Sequence, residues 1–130
     1  MIEATATQTR QTKYCKSIRV TLSELGHATN SELLHRLRNT YPELSATTVH
    51  RATTRLAARD EISIAPATKD GSMRYDSNLS PHDHFLCRSC DQLKDVRVMD
   101  KLNTILDKAI CDCQISGRLT ISGLCKDCIS

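Results

Sequence analysis

Two Cys-x-x-Cys pairs, Cys87-Arg88-Ser89-Cys90 and Cys125-Lys126-Asp127-Cys128, set the strongest limit on what this chain can fold into. Four thiolates at that spacing make a tetrahedral ligand set, which suits a structural zinc ion. Residues 91–124 separate the pairs, a longer spacer than a simple zinc ribbon uses. The metal therefore pins the C-terminus back onto the strand near residue 87. Its role is folding energy, not chemistry. Two unrelated knuckles, or a thioredoxin-like redox pair, are the competing explanations.

The chain has seven cysteines, an odd number that cannot all pair within one molecule. Its first ten residues are polar and Thr-rich, unlike a secretory signal. No apolar run is long enough to span a bilayer. A reducing cytoplasm is therefore expected, where Cys-x-x-Cys pairs act as metal ligands more readily than as disulfides. At 130 residues the chain makes one domain or two small ones. Aromatics are 3% of the residues, with one Phe and no Trp, so a large pocket for an organic substrate is not expected. These totals disfavour a secreted disulfide scaffold, a membrane protein and a large enzyme.

Charge is unevenly spread. Arg10, Lys13, Lys16, Arg19, Arg36, Arg38, Arg51, Arg55 and Arg59 face only Glu24, Glu32 and Glu43 across residues 10–59. Residues 78–130 are balanced. A basic first half beside a neutral, Cys-rich second half points to two tasks, although a basic stretch is often just a solvated helix face.

Apolar residues Cys15, Ile18, Leu22 and Leu25 recur at helical spacing over 11–25, and Gly26 ends that helix. Thr29-Asn30-Ser31-Glu32 has the form of a capping box. It starts a second helix that runs to about Thr40 and buries Leu33, Leu34 and Leu37. Ser45 caps a third helix, 46–59, with Val49, Ala52, Thr53 and Leu56 inward and Thr47, His50, Arg51 and Thr54 outward. Ile62 and Ile64, then Met73 and Tyr75, alternate with polar or small residues around the turn Lys69-Asp70-Gly71-Ser72, which predicts a β-hairpin.

Three helices and a hairpin are the order of a winged helix-turn-helix. In that fold the third helix enters the DNA major groove. The candidate DNA contacts are Thr47, His50, Arg51, Thr54 and Arg55. Arg51 is suited to a guanine edge, His50 and the threonines to bases, methyls or phosphates, and the basic residues to phosphates.

Asn78 to Pro81 reads as a hinge. Strands are expected around Phe85 and around Leu93, Val96 and Val98. An amphipathic helix carries Leu102, Ile105, Leu106, Ala109 and Ile110, and a last strand carries Ile115, Leu119 and Ile121. The expected class is α+β: a winged-helix DNA-binding domain over residues 1–77, a hinge over 78–81, and a small αβ dimerisation and metal-binding domain over 82–130. A helix stripe and sheet edges in so short a segment ask to be buried in a homodimer, and operator DNA with two half-sites asks for the same.

His82-x-His84 lies just before the first knuckle, with Asp76, Asp83 and Asp95 near in sequence. In an extended segment both imidazoles share a face. Such a pair alone is more often a surface feature than a site.

Three separated motifs, in order, resemble the ferric uptake regulator family. They are His82-Asp83-His84-Phe85-Leu86-Cys87-x-x-Cys90, Ser45-Ala46-Thr47-Thr48-Val49-His50-Arg51, and Gly123-Leu124-Cys125-Lys126-Asp127-Cys128. The resemblance covers residues 11 to 128. It implies a dimeric, metal-responsive transcription regulator, usually a repressor, and not an enzyme. It also implies a regulatory metal site of His27, Asp76, His82, His84 and Asp95. That set of nitrogen and oxygen donors suits Fe(II) or Mn(II). Asp at positions 76 and 95 resembles the peroxide-sensing members, in which iron reacts with hydrogen peroxide and a ligand histidine, here His27 or His82, is oxidised. An iron- or manganese-sensing repressor is the alternative, with a zinc or nickel sensor behind it. A second metal site of many iron sensors is not expected, because Pro81, Leu102 and Gly117 stand at its ligand positions and leave Asp83 alone.

The chain departs from the family pattern at several places. His50 replaces a common tyrosine, Asp60-Glu61 replaces Gly-Leu, Asp91 replaces Gly, and no Pro follows Thr12. Glu61 is expected to weaken packing between helix and wing. Cys15 is expected to serve packing. Cys111 and Cys113 read as small residues ending a helix, with a thiol switch or an extra metal site as the sharper possibility. From other classes, a metalloenzyme using the His/Asp site and a zinc-stapled interaction module without a DNA role are the rivals.

Overall fold

The computed structural model of the chain describes residues 2–111 and 113–129, with side chains described from residue 13 onward. The side chains of Arg10 and Thr12, and Asp112 between the two C-terminal helix cysteines, therefore lie outside the described residues. The chain divides into two compact units, with the break between Leu79 and Ser80.

The first unit begins with helix α1 (Ile2–Leu25), longer than the apolar spacing from residue 11 predicts. Ile18 and Leu22 are buried and Cys15 is half-buried against the same core. Gly26 ends α1 with φ +82, and its N–H donates to the Leu22 carbonyl at 2.7 Å. That left-handed turn is cheap only for glycine. The chain then enters strand β1 (His27–Thr29), where the sequence suggests only a turn. Three residues are too few to show alternation. They become a strand by pairing with β3 (Arg74–Asp76), far away in sequence.

Helix α2 (Asn30–Leu37) starts at the expected capping box. The Thr29 hydroxyl accepts from the Glu32 N–H at 3.2 Å, and the Thr29 N–H donates to Glu32 Oε1 at 2.9 Å. The α-helix stops at Leu37, short of Thr40. The next residues tighten, with Asn39 N–H donating to the Arg36 carbonyl and Thr40 N–H to that of Leu37. Helix α3 (Ala46–Ala58) is capped by Ser45, whose hydroxyl accepts from the Thr48 N–H at 3.1 Å. Val49, Thr53 and Leu56 are buried; Val49 and Leu56 join Leu33, Leu37 and Tyr75 in an apolar core with Ile18 and Leu22 of α1. Each such apolar side chain contributes about 1.5–3 kcal/mol on leaving water.

Strand β2 (Ser63–Ala65) pairs antiparallel with β3, with Ile64 opposite Tyr75, so the sheet order is β1-β3-β2. The hairpin is present, but its faces differ from the alternation read in the sequence. Ile62 is buried while Ile64 is 63% exposed. Ile62 precedes the strand, on the turn where Glu61 N–H bonds the Leu56 carbonyl, and so escapes the strand's period of two. Met73 likewise falls outside β3 and is exposed. As the central strand, β3 is buried on both faces, at Arg74, Tyr75 and Asp76.

Asp60 occupies φ +57, the left-handed conformation that glycine adopts more easily. Glu61 is not a core residue. It pairs with Arg19 of α1 at 2.9 Å, so a surface ion pair stands at the position where leucine is usual in the family pattern.

The second unit is a three-stranded sheet in the order β5-β4-β6, with β4 (Asp83–Cys87) at its centre. Strand β5 (Leu93–Val96) runs antiparallel to β4 and β6 (Thr120–Gly123) runs parallel. Val98 is not a strand residue but the N-cap of α4 (Met99–Ile110), and Ile115 lies outside β6. The apolar stripe of α4 stays open in the single chain: Ile105 is 63% exposed and Ile110 is also exposed. A four-residue helix, α5 (Lys126–Ile129), begins inside the second knuckle and carries Cys128. Among the described residues no helix is long and apolar enough to cross a membrane.

Candidate functional site: metal centres and the face of α3

The β4–β6 register sets Cys87 opposite Gly123, which delivers the second knuckle to the first. The sulfurs of Cys87, Cys90, Cys125 and Cys128 all lie within 4.8 Å of one another, and those of Cys90 and Cys125 are 3.7 Å apart. A tetrahedron with zinc–sulfur bonds of about 2.3 Å has edges of about 3.8 Å, so the four residues fit zinc. The turn between Cys87 and Cys90 closes through Asp91, at φ +66 where the family pattern has glycine, whose N–H donates to the Cys87 carbonyl.

The electrostatics of the cluster also fit a cation. The N–H groups of Cys90 and Cys125 point at the Cys87 sulfur, at 3.5 and 3.3 Å, and hold its thiol at about 6. A hydrogen bond from Ser89 lowers the Cys128 thiol, but the sulfurs of Cys125 and Cys87 outweigh it and push that thiol up to about 12. Four sulfurs this close do not all ionise without a positive charge among them.

The five residues of the expected regulatory site are divided between the units, and each unit arranges its own share. In the first, β1 pairs with β3 so that His27 faces Asp76, with Nε2 3.3 Å from Oδ2. Asp76 is buried, and its Oδ1 accepts the Asn78 N–H at 2.8 Å. In the second, the β4–β5 register puts His84 opposite Asp95. Asp95 Oδ1 lies 3.4 Å from His82 Nε2 and 3.5 Å from His84 Nε2, and the two imidazoles meet edge-on at 4.5 Å.

His82 Nδ1 lies 2.6 Å from the Ser80 carbonyl. A carbonyl only accepts, so Nδ1 carries a proton and Nε2 is the ring nitrogen turned toward Asp95. With Nε2 deprotonated, that nitrogen and the facing carboxylate oxygen are two donors for a divalent cation. The 3.3–3.5 Å spacings approach the edges of a coordination shell. Sequence reading missed the part of Ser80, because a backbone carbonyl leaves no signal in residue type.

Asp83, between the two histidines, is fully engaged elsewhere. Its carboxylate accepts the N–H groups of Val98, Met99 and Leu119 and lies 3.2 Å from Arg118 Nε. Pro81 and Gly117 are exposed and Leu102 is half-buried, all without a ligand atom to offer.

On α3, Thr47, His50, Arg51 and Thr54 are exposed along one face, and Arg55 is half-buried beside them. Some basic residues of the first unit are engaged within it: Arg19 with Glu61, Arg36 with Glu24, and Arg38 with the Leu44 carbonyl. Lys16, Arg51 and Arg59 remain exposed. Cys111 and Cys113 are exposed too, and Cys111 caps α4 at φ +36.

The ferric uptake regulator family model matches residues 6–114. This chain belongs to the ferric uptake regulator family. The match ends before the second knuckle, so Cys125 and Cys128 rest on the geometry above. The transcriptional regulator PerR of Clostridium acetobutylicum is 38% identical over 61 residues, 45% of this chain and 44% of that protein, so the alignment spans under half of that relative. The peroxide-responsive repressor PerR of Staphylococcus aureus is 28% identical over 116 residues, 85% of this chain and 76% of that protein. Among solved structures, the Helicobacter pylori ferric uptake regulator Fur, described as having three functional metal-binding sites, superposes with a TM-score of 0.74. It is 20% identical and covers 98% of this chain and 90% of its own, a likeness of fold.

Proposed function

We propose that this family member is a metal-dependent, DNA-binding transcriptional repressor that acts as a homodimer and responds to peroxide. The observation that carries the reading is the ligand arrangement inside each unit: His27 with Asp76 in one, His82 and His84 with Asp95 in the other. One Fe(II) or Mn(II) ion held by all five residues joins the two units across residues 78–81. The two carboxylates balance its charge, and no thiolate takes part. The ligands thereby select one orientation of the DNA-binding unit relative to the dimerising unit, which couples metal occupancy to DNA affinity.

In that orientation the two α3 helices of a dimer meet successive major grooves, with Thr47, His50, Arg51, Thr54 and Arg55 toward the DNA and Lys16 and Arg59 available to phosphates. The exposed stripe of α4, with Ile105 and Ile110, is the surface that dimerisation covers. The four cysteines hold zinc as a permanent staple of the second unit. Held by these five residues, iron would supply reactivity toward hydrogen peroxide. Peroxide itself would be the two-electron oxidant: one of its oxygens would add to the His27 or His82 ring, the other would leave as water, and the oxidised ring would ligate the ion less well.

The test is DNA binding by protein loaded with Fe(II) or with Mn(II), each with and without peroxide, followed by peptide mass spectrometry. Peroxide is expected to abolish binding in the iron form alone, with one added oxygen on the His27 or His82 peptide. Iron-dependent binding that survives peroxide makes the protein an iron sensor instead, and absence of any salt-dependent DNA binding sinks both readings.

A further inference from the structure

Asn30, the first residue of α2, reaches across to α3 and touches two of its residues. Thr53, fully buried, places its hydroxyl 2.9 Å from Asn30 Oδ1. His50, exposed on the outer face, places Nδ1 3.4 Å from Asn30 Nδ2. The Thr53 hydroxyl also lies 3.1 Å from the Val49 and His50 carbonyls, but its contact with Asn30 is the shortest of the three. With that hydroxyl donating to Oδ1, the carboxamide is oriented, and its –NH2 end faces His50. An –NH2 group only donates. The facing Nδ1 must accept, so the ring proton sits on Nε2.

We infer that Asn30 is a positioning residue for sequence recognition: it holds His50 as the Nε2–H tautomer, so α3 offers the DNA an imidazole N–H donor. This deepens the DNA-binding reading and rests on it. The major-groove edges that accept such a donor are purine N7, guanine O6 and thymine O4. The cytosine amino group is a donor and faces the imidazole N–H unfavourably. The base met by His50 in each half-site is therefore one whose edge presents an acceptor, and cytosine is refused there. Thr53 takes part at one remove, because its buried hydroxyl decides which way round the Asn30 amide sits.

Asn30→Asp isolates the effect. The carboxylate still accepts from Thr53 and suits the N-terminus of α2, but it has no N–H for His50. Nitrogen-15 NMR of the zinc-reconstituted, full-length protein reads the tautomer directly. The expected result is Nε2–H for His50 in the wild type and Nδ1–H in N30D. Selection of duplexes from a random pool by the Mn(II)-loaded protein reads the consequence. The wild type is expected to exclude cytosine at one position per half-site, by roughly 2–10-fold in affinity. N30D and His50→Ala are expected to relax that position alone and keep the rest of the selected sequence. Nδ1–H in the wild type, or a selected site unchanged by N30D, overturns the inference. If the wild type selects no DNA at all, the DNA-binding reading itself falls, and the base contact with it.

Discussion

Arg118 places its guanidinium Nε 3.2 Å from Oδ1 of Asp83, whose side chain has no exposure to solvent. Burial raises the Asp83 carboxyl, but the Leu119, Met99 and Val98 N–H groups and the Arg118 charge outweigh it and hold it at about 2, below the ordinary 3.8. The folded state thus prefers the ionised form. The resulting stability is fully present above 3.8 and is lost as pH falls through the folded value near 2. Asp83→Asn is expected to lower unfolding stability at neutral pH by about 2 kcal/mol. The gap between wild type and variant should close as both are acidified through that window. Urea titrations followed by circular dichroism at stepped pH check it; a gap that stays constant down to pH about 2 refutes the assignment.

Asp60 and Glu61 give a paired prediction on stability. Asp60 holds φ +57, so Asp60→Gly is expected to raise stability by about 0.5–1 kcal/mol. Glu61→Gln loses an exposed ion pair with Arg19 and is expected to cost under about 1 kcal/mol. Denaturant midpoints of the two variants should therefore move in opposite directions. An Asp60→Gly variant less stable than the wild type would mean that the Asp60 side chain makes a contact worth more than the strain.

Removing zinc is expected to act on one unit and spare the other. The four cysteines all belong to the second unit, at the end of β4, on the turn that follows it and on the knuckle after β6. Cys90→Ser should reduce zinc content measured by plasma mass spectrometry. Amide exchange should then accelerate at Phe85–Cys87 and Ile121–Gly123, while α2 and α3, whose core contains no cysteine ligand, keep their protection. Equal acceleration in both units would show that the staple supports more than its own sheet.

How far the sequence went depended on whether a signal was local. The Thr29–Glu32 box, the Ser45 cap and the two faces of α3 are set by residues three or four apart, and each was legible. Strand β1 was not, because His27-Ala28-Thr29 is a strand only by virtue of Arg74–Asp76. The Ile62/Ile64 alternation misled because the turn at Glu61 separates the first isoleucine from the strand. The clustering of the four cysteines was legible from spacing alone. The share of His27 and Asp76 came from family resemblance, since residues so far apart leave no local pattern. The Asn30–Thr53 and Asp83–Arg118 contacts had no signal at all before the fold placed them.

The sharpest test of the proposed regulatory site compares one candidate ligand from each unit. Asp76→Asn keeps the oxygen that accepts the Asn78 N–H, so β3 and the turn after it are left intact. Asp95→Asn changes the carboxylate that faces His82 and His84. If one ion is held by both units, either substitution removes a charged ligand from the same coordination shell, and each is expected to weaken Mn(II) binding by at least about 10-fold. Combining them should weaken binding by less than the product of the single effects, because the two residues act on one equilibrium. Paramagnetic resonance titration of free Mn(II) gives both affinities, and gel-shift titration on the selected duplex gives the DNA response. Should Asp76→Asn bind Mn(II) like the wild type while Asp95→Asn does not, the ion belongs to the second unit alone, and metal occupancy has no physical route through His27 and Asp76 to the orientation of α3.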